Sequence, residues 1–228
     1  MNQGRWGNFF DIMSNTSQLL SVALTLAVST CAWGGPPVGL EWSAGFSLPP
    51  QEDGRAAIGV GAPFSGEHEG VVLLAGGSNY PDGPLLKGGK KSYRAEIYAL
   101  HRGRTNWVRA GRLSQPLAEG MSATTPRGIV CIGGSASGEK RSRVFLLTWD
   151  AARGQAVEKA RPDFPCGVRL GAAAAKENRV YVAGGESAEA LPSDVWTLDL
   201  DAPQTGWTPL PPLPGPKGLM EAVAVVQN

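Results

Sequence analysis

The sequence predicts an all-β, turn-rich fold, and three observations carry that prediction. First, 31 glycines and 18 prolines are spread through 228 residues, so short runs are repeatedly interrupted by turn formers. Second, the apolar residues, 42% of the chain, suffice for a packed core and exclude a wholly disordered chain. Third, the apolar residues fall in short β-branched runs, not in long stripes of helical period, and none reaches the ~18 residues of a membrane span. The 21 basic and 20 acidic residues nearly cancel. A chain-wide field for nucleic acid is therefore not expected. Three cysteines are too few for a disulfide scaffold, so Cys131 and Cys166 are expected as small core hydrophobes.

Residues 1–32 read as a secretory signal segment. The ten-residue apolar run Leu19–Val28 is followed by small residues, the layout of an export signal. The mature protein is thus expected to be exported, periplasmic in a bacterium, with lipid attachment at Cys31 as a minor alternative. Residues 33–53 form a linker and an orphan closing strand, Trp42 followed by Leu48-Pro49-Pro50.

From residue 54 the chain repeats itself. Val71–Gly77 (VVLLAGG), Ile129–Gly134 (IVCIGG) and Val180–Gly185 (VYVAGG) each end in a glycine pair, with pairs starting at Gly76, Gly133 and Gly184. Each is followed by a second strand-like run, Glu96–Leu100, Arg143–Leu147 and Asp194–Leu200. Each is preceded by a small-residue strand expected to lie innermost, at Ala56–Ala62, Glu119–Ala123 and Leu170–Ala174. Trp107 and Trp207 open closing strands, where an indole fills the wedge between blades. Four short strands in about 50 residues is the spacing of a Kelch blade. The glycine pair marks a bend needing positive φ or close backbone approach.

The predicted fold is therefore a Kelch-type β-propeller, incomplete, with about three and a half blades of an expected six. The blades are assigned to 54–114, 115–161 and 162–208, and a fourth starts at 209–228. A half-ring leaves apolar faces and an unpaired edge open, so self-association through blade edges is expected.

The segment Gly76–Leu100, GGSNYPDGPLLKGGKKSYRAEIYAL, is more specific than any Kelch feature. With Leu113–Gly120 (LSQPLAEG) and Gly128–Gly134 (GIVCIGG), it resembles the bacterial N-acetylneuraminate epimerases, or sialic acid mutarotases. The blade order is similar to the cyclically permuted branch of that Kelch family. The resemblance implies an exported isomerase that interconverts the α and β anomers of an acidic sugar, needing no metal or other cofactor. In the sequence, the two histidines, His68 and His101, lie far apart and no His/Cys cluster has ligand spacing.

Mutarotation needs a base for the anomeric hydroxyl proton and an acid for the ring oxygen. A sialic acid also carries a carboxylate, for which Lys or Arg is the natural partner. Lys90, Lys91 and Tyr93, in the loop that leaves the second strand, are candidate substrate contacts. Asn79 is a candidate partner for a sugar hydroxyl, with a turn-forming role equally open. Arg102, Arg104, Arg109 and Arg112 read as solvated surface. Glu119 and Glu186 are the weak acid–base candidates. Glu119 stands where the resemblance implies an aromatic residue, and the Glu and Arg implied for proton transfer have no counterpart in these 228 residues. Two further readings stay open: a noncatalytic Kelch module that binds a glycan or protein, and a nonfunctional remnant.

Overall fold

The computed structural model describes residues 45–189, 193–215 and 219–227. The signal segment, Cys31 and Trp42 lie outside the described residues. The described strands are β1 (Phe64–His68), β2 (Val71–Ala75), β3 (Ser78–Asn79), β4 (Ser92–Tyr93), β5 (Glu96–His101), β6 (Val108–Arg112), β7 (Met121–Thr125), β8 (Gly128–Ile132) and β9 (Ser135–Ala136). They continue with β10 (Glu139–Lys140), β11 (Val144–Asp150), β12 (Gln155–Arg161), β13 (Val168–Arg169), β14 (Ala172–Lys176), β15 (Arg179–Ala183), β16 (Glu186–Ser187), β17 (Val195–Asp199) and β18 (Thr208–Pro209). Among the described residues there is no α-helix, and no helix is long and apolar enough to cross a membrane.

Twelve of these strands form three four-stranded antiparallel sheets, ordered β1-β2-β5-β6, β7-β8-β11-β12 and β14-β15-β17-β18. Each is a Kelch-type propeller blade, and the predicted GG-terminated runs are the second strand of each. One expectation is corrected. The innermost strand of the first blade is Phe64–His68, not Ala56–Ala62. Composition misled here because FSGEH lacks the small apolar letters of its counterpart AAAAK. Phe64 instead turns inward, fully buried, and takes up the wedge between the first two blades.

The second blade shows why the period-2 pattern matters. All five residues of β8 are buried, and they alternate between two cores. Ile129 and Cys131 join Phe64, Leu73, Ile97, Phe145 and Leu147 in the core shared with the first blade. Val130 and Ile132 join Val144, Leu146, Val180, Val182 and Trp196 in the core shared with the third. Cys131 and Cys166 are free and buried, and burial pushes the Cys131 thiol far up. Trp207 does fill a wedge, ring to ring with Phe164 at 5.0 Å and with its indole N–H on the Pro162 carbonyl. Trp107 is half-buried and outside both cores. The two histidines, distant in sequence, meet one tryptophan. His68 Nδ1 accepts the Trp149 backbone N–H at 3.0 Å, and the His101 ring stands edge-on to that indole at 5.0 Å.

The glycine pairs do two jobs at once. Gly76, Gly133 and Gly184 have φ of +69°, +64° and +65°. A Cβ on each would fall 2.2–2.5 Å from a carbonyl oxygen of the next blade, that of Leu117, Val168 or Leu219. The second glycine of each pair then donates its N–H to that same carbonyl at 2.7–2.8 Å. A further hydrogen-bonded chain runs along the inner ring: Glu119 N–H to Ala62 O, Leu170 N–H to Glu119 O and Glu221 N–H to Leu170 O. All four residues have positive φ. The entry contact of a blade thus recurs at Leu219–Glu221.

Candidate functional site

The loop joining the second and third strands of each blade rises on one face. In the first blade it forms the hairpin β3–β4, with Ser78 opposite Tyr93 and Asn79 opposite Ser92. In the second it forms β9–β10, with Ser135 opposite Lys140. The start of each loop also bridges back to the entry of its own blade: Ser78 to Gly61, Ser135 to Ala118 and Glu186 to Arg169. These three pairs are equivalent under the repeat. Two blades have small residues there, and the third has an arginine and a glutamate.

That substitution builds a network across three blades. Glu119 pairs through Oε1 with Lys91 Nζ and through Oε2 with Arg169 Nη1 at 2.8 Å. Arg169 Nε holds Glu186 Oε2 at 2.8 Å, and Glu186 Oε1 reaches Lys140 Nζ at 2.9 Å. Three cations therefore alternate with two carboxylates. Burial pushes the Glu119 carboxyl up, but the hydrogen bonds and charges of Lys91 and Arg169 outweigh it and hold the group below its ordinary range. Hydrogen bonds from Lys140 and then Arg169 lower Glu186 likewise. Burial alone would depress the Lys91 ammonium, yet its bond to Glu119 wins and raises it. Both carboxylates are thus ionised and Lys91 is protonated at neutral pH. None is poised to give up or take a proton easily.

A depressed carboxyl stabilises the fold above its unfolded-state value and loses that contribution as pH falls through the folded one. Melting curves of the native chain and Glu119→Gln should therefore differ by a few degrees at pH 7 and converge well below the usual glutamate value of 4.5. A gap that persists at pH 3 would count against this ion network.

Two cavities flank Lys91. One, of about 730 Å³, lies between the first two blades and is lined by Lys91, Tyr93, Gln115, Ser137 and Arg141 among others. The second, of about 710 Å³, holds Asn79, Tyr80, Ser78 and the opposite side of Lys91. The Lys91 ammonium lies 5.1 Å from the Tyr93 ring centroid, and Tyr93 Oη is 3.2 Å from Ser135 Oγ. Asn79 donates to the Gly59 carbonyl at 3.0 Å, while its buried Oδ1 has no partner among the described residues. Arg141 pairs through Nη2 with Glu139 at 3.1 Å, and its buried Nε has no partner among the described residues.

The structure thus brings Lys91, Tyr93, Glu119 and Glu186 together and sets Asn79 in the adjoining cavity. Lys90 is exposed, lines neither cavity and forms no ion pair among the described residues. Sequence reasoning missed Arg169, Lys140 and Arg141. Setting the three repeats in register reveals Arg169, a charge at a position held by Gly61 and Ala118 in the other blades. Arg141 carries no such mark, because GEKRSR reads as a solvated turn.

The family model described as N-acetylneuraminate epimerase matches residues 28–155. An N-acetylneuraminate epimerase of Vibrio cholerae serotype O1 is 31% identical over 127 residues, spanning 51% of this chain and 33% of that one. One from Yersinia pestis (strain Pestoides F) is 32% identical over 163 residues, spanning 66% and 41%. The chain therefore covers between a third and about two fifths of these relatives' length. A solved structure titled "Structure of YjhT" matches with a TM-score of 0.58 at 15% identity, over 76% of this chain and 58% of that one. That likeness is one of fold. The glycine-paired blades, the Asn79–Tyr93 loop and a match over more than half the sequence lead to one assignment: this chain belongs to the N-acetylneuraminate epimerase family.

Proposed function

We propose that the chain is a mutarotase acting on N-acetylneuraminate, and that the described residues supply its sugar-recognition groups. The observation that supports this best is the cleft between the first two blades. There two cations, a phenol, a hydroxyl and an amide converge within the region the family model matches. Arg141, which lines the cleft and pairs with Glu139 through Nη2, receives the sugar carboxylate. Lys91 stands beside it with its charge shared with Glu119. Ser137, Gln115 and Asn79 suit hydroxyl and amide groups, and Tyr93 offers an apolar face with a polar tip. Lys90 acts from the rim by long-range attraction.

Ring opening moves the anomeric hydroxyl proton to a base while an acid protonates the ring oxygen. Closure on the other face of the carbonyl returns both protons. Glu119 and Glu186, ionised between pairs of cations, serve in this reading as fixed charges and not as the proton-transfer couple. Proton NMR of a freshly dissolved single anomer tests the function. Equilibration faster than in buffer, in proportion to protein added, is the expected result.

One observation favours a second reading. Among the described residues no carboxyl lines either cavity, which suits a noncatalytic module that binds an acidic glycan. Saturable sugar binding with anomer equilibration at the buffer rate would select that reading and reject the enzyme.

A further inference from the structure

We propose that Lys91 and Arg169 form a carboxylate-binding site that the chain fills with its own Glu119. The choice of acidic sugars as ligands rests on the function proposed above, in which Arg141 takes the sugar carboxylate while Glu119 keeps this site occupied. The site itself rests on geometry.

One carboxylate bridges two cations from different blades, with one oxygen on Lys91 and the other 2.8 Å from Arg169. An incoming carboxylate would have this same coordination. Lys91 also lines both cavities, so a ligand in either one lies against the occupied site. The Glu119 side chain is 13% exposed, open enough at its edge for exchange and buried enough that water screens the contacts poorly.

The fold does not require a glutamate at this position. What the inner ring uses is main chain: the Glu119 N–H and C=O bond to Ala62 and Leu170. Ala62, its repeat equivalent, holds the same left-handed conformation with φ of +48°. An alanine can therefore make every main-chain contact asked of residue 119. Its carboxylate is an addition, and what it adds is an anion between two cations. Removing it leaves Lys91, Arg169 and Lys140 around Glu186 alone, a net positive pocket beside the cleft.

Calorimetric titration of the full chain with N-acetylneuraminate, D-glucuronate and the uncharged N-acetylmannosamine tests this. Glu119→Ala should tighten binding of both acidic sugars about tenfold and leave the neutral one unchanged. Adding Lys91→Ala to that variant should erase the gain. Glu119→Gln, which keeps the volume and removes the charge, should give the same direction if the alanine variant folds poorly. A gain with glucuronate but none with N-acetylneuraminate supports the anion site and rejects the sialic acid reading. Acid-sugar affinity within twofold of the native chain in a variant that melts cooperatively overturns the proposal, as does a gain that survives loss of Lys91.

Discussion

Replacing Gly133 by alanine is expected to destabilise the chain by about 2–5 kcal/mol, a large part of the stability of an ordinary domain. Two effects combine there. The backbone sits at φ +64°, which costs an L-residue roughly 1–2 kcal/mol. The new Cβ would also lie 2.2 Å from the Val168 carbonyl oxygen and 2.9 Å from the Val168 Cγ1. The nearest obstacle is backbone of the next blade, which can yield only if the two blades part. Gly154 separates the two effects, because it has the same φ of +64° with nothing within 4 Å. Gly154→Ala should cost only the conformational part, about 1–2 kcal/mol. Chemical denaturation of the two variants side by side checks this. Equal losses would mean that the glycine pair is needed for its dihedral alone and not for blade approach.

Arg141→Ala is expected to weaken binding of N-acetylneuraminate by about 10- to 100-fold, in line with losing a charge-assisted pair. Affinity for an uncharged analogue should stay put. Arg141 holds the next blade through its carbonyl, which accepts the Val168 N–H at 3.0 Å, and alanine preserves that bond. The melting temperature should therefore barely move. Arg94 is the matching control. Its carbonyl plays the same part toward Leu117, but its guanidinium pairs with Glu96 at 3.1 Å and lines neither flanking cavity. Arg94→Ala should leave sugar affinity unchanged. If the two arginine variants lose affinity equally, the cleft is not where the carboxylate sits.

The candidate site was half legible in the sequence. Lys91 and Tyr93 stood out because they sit in an unusual loop, GGKKSY, whose letters no turn requires. Glu119 and Glu186 were placed near strand ends from the repeat, and there they are. Their pairing was hidden, because Arg169 follows Glu119 by 50 positions in sequence and meets it only when the second and third blades pack. Lys90 differs from Lys91 in three dimensions although the two letters match. It shares the motif with Lys91, yet consecutive residues of an extended segment face opposite ways. One enters the network and the other faces solvent.

By itself the sequence determined the blade. Short β-branched runs ended by glycine pairs specify strand, bend and strand, and their repetition makes the units pack face to face. Those are local rules of dihedral space and side-chain period, so they can be read from consecutive letters. Where the first blade begins was settled by Phe64 packing between blades, a contact that outweighed the small-residue composition of Ala56–Ala62. Which charges neutralise one another was likewise decided only in three dimensions. An ion pair forms wherever folding brings opposite charges within a few ångströms, whatever their separation along the chain. Glu119 therefore became a bridge between two cations through its place on the inner ring and not through its neighbours in the sequence.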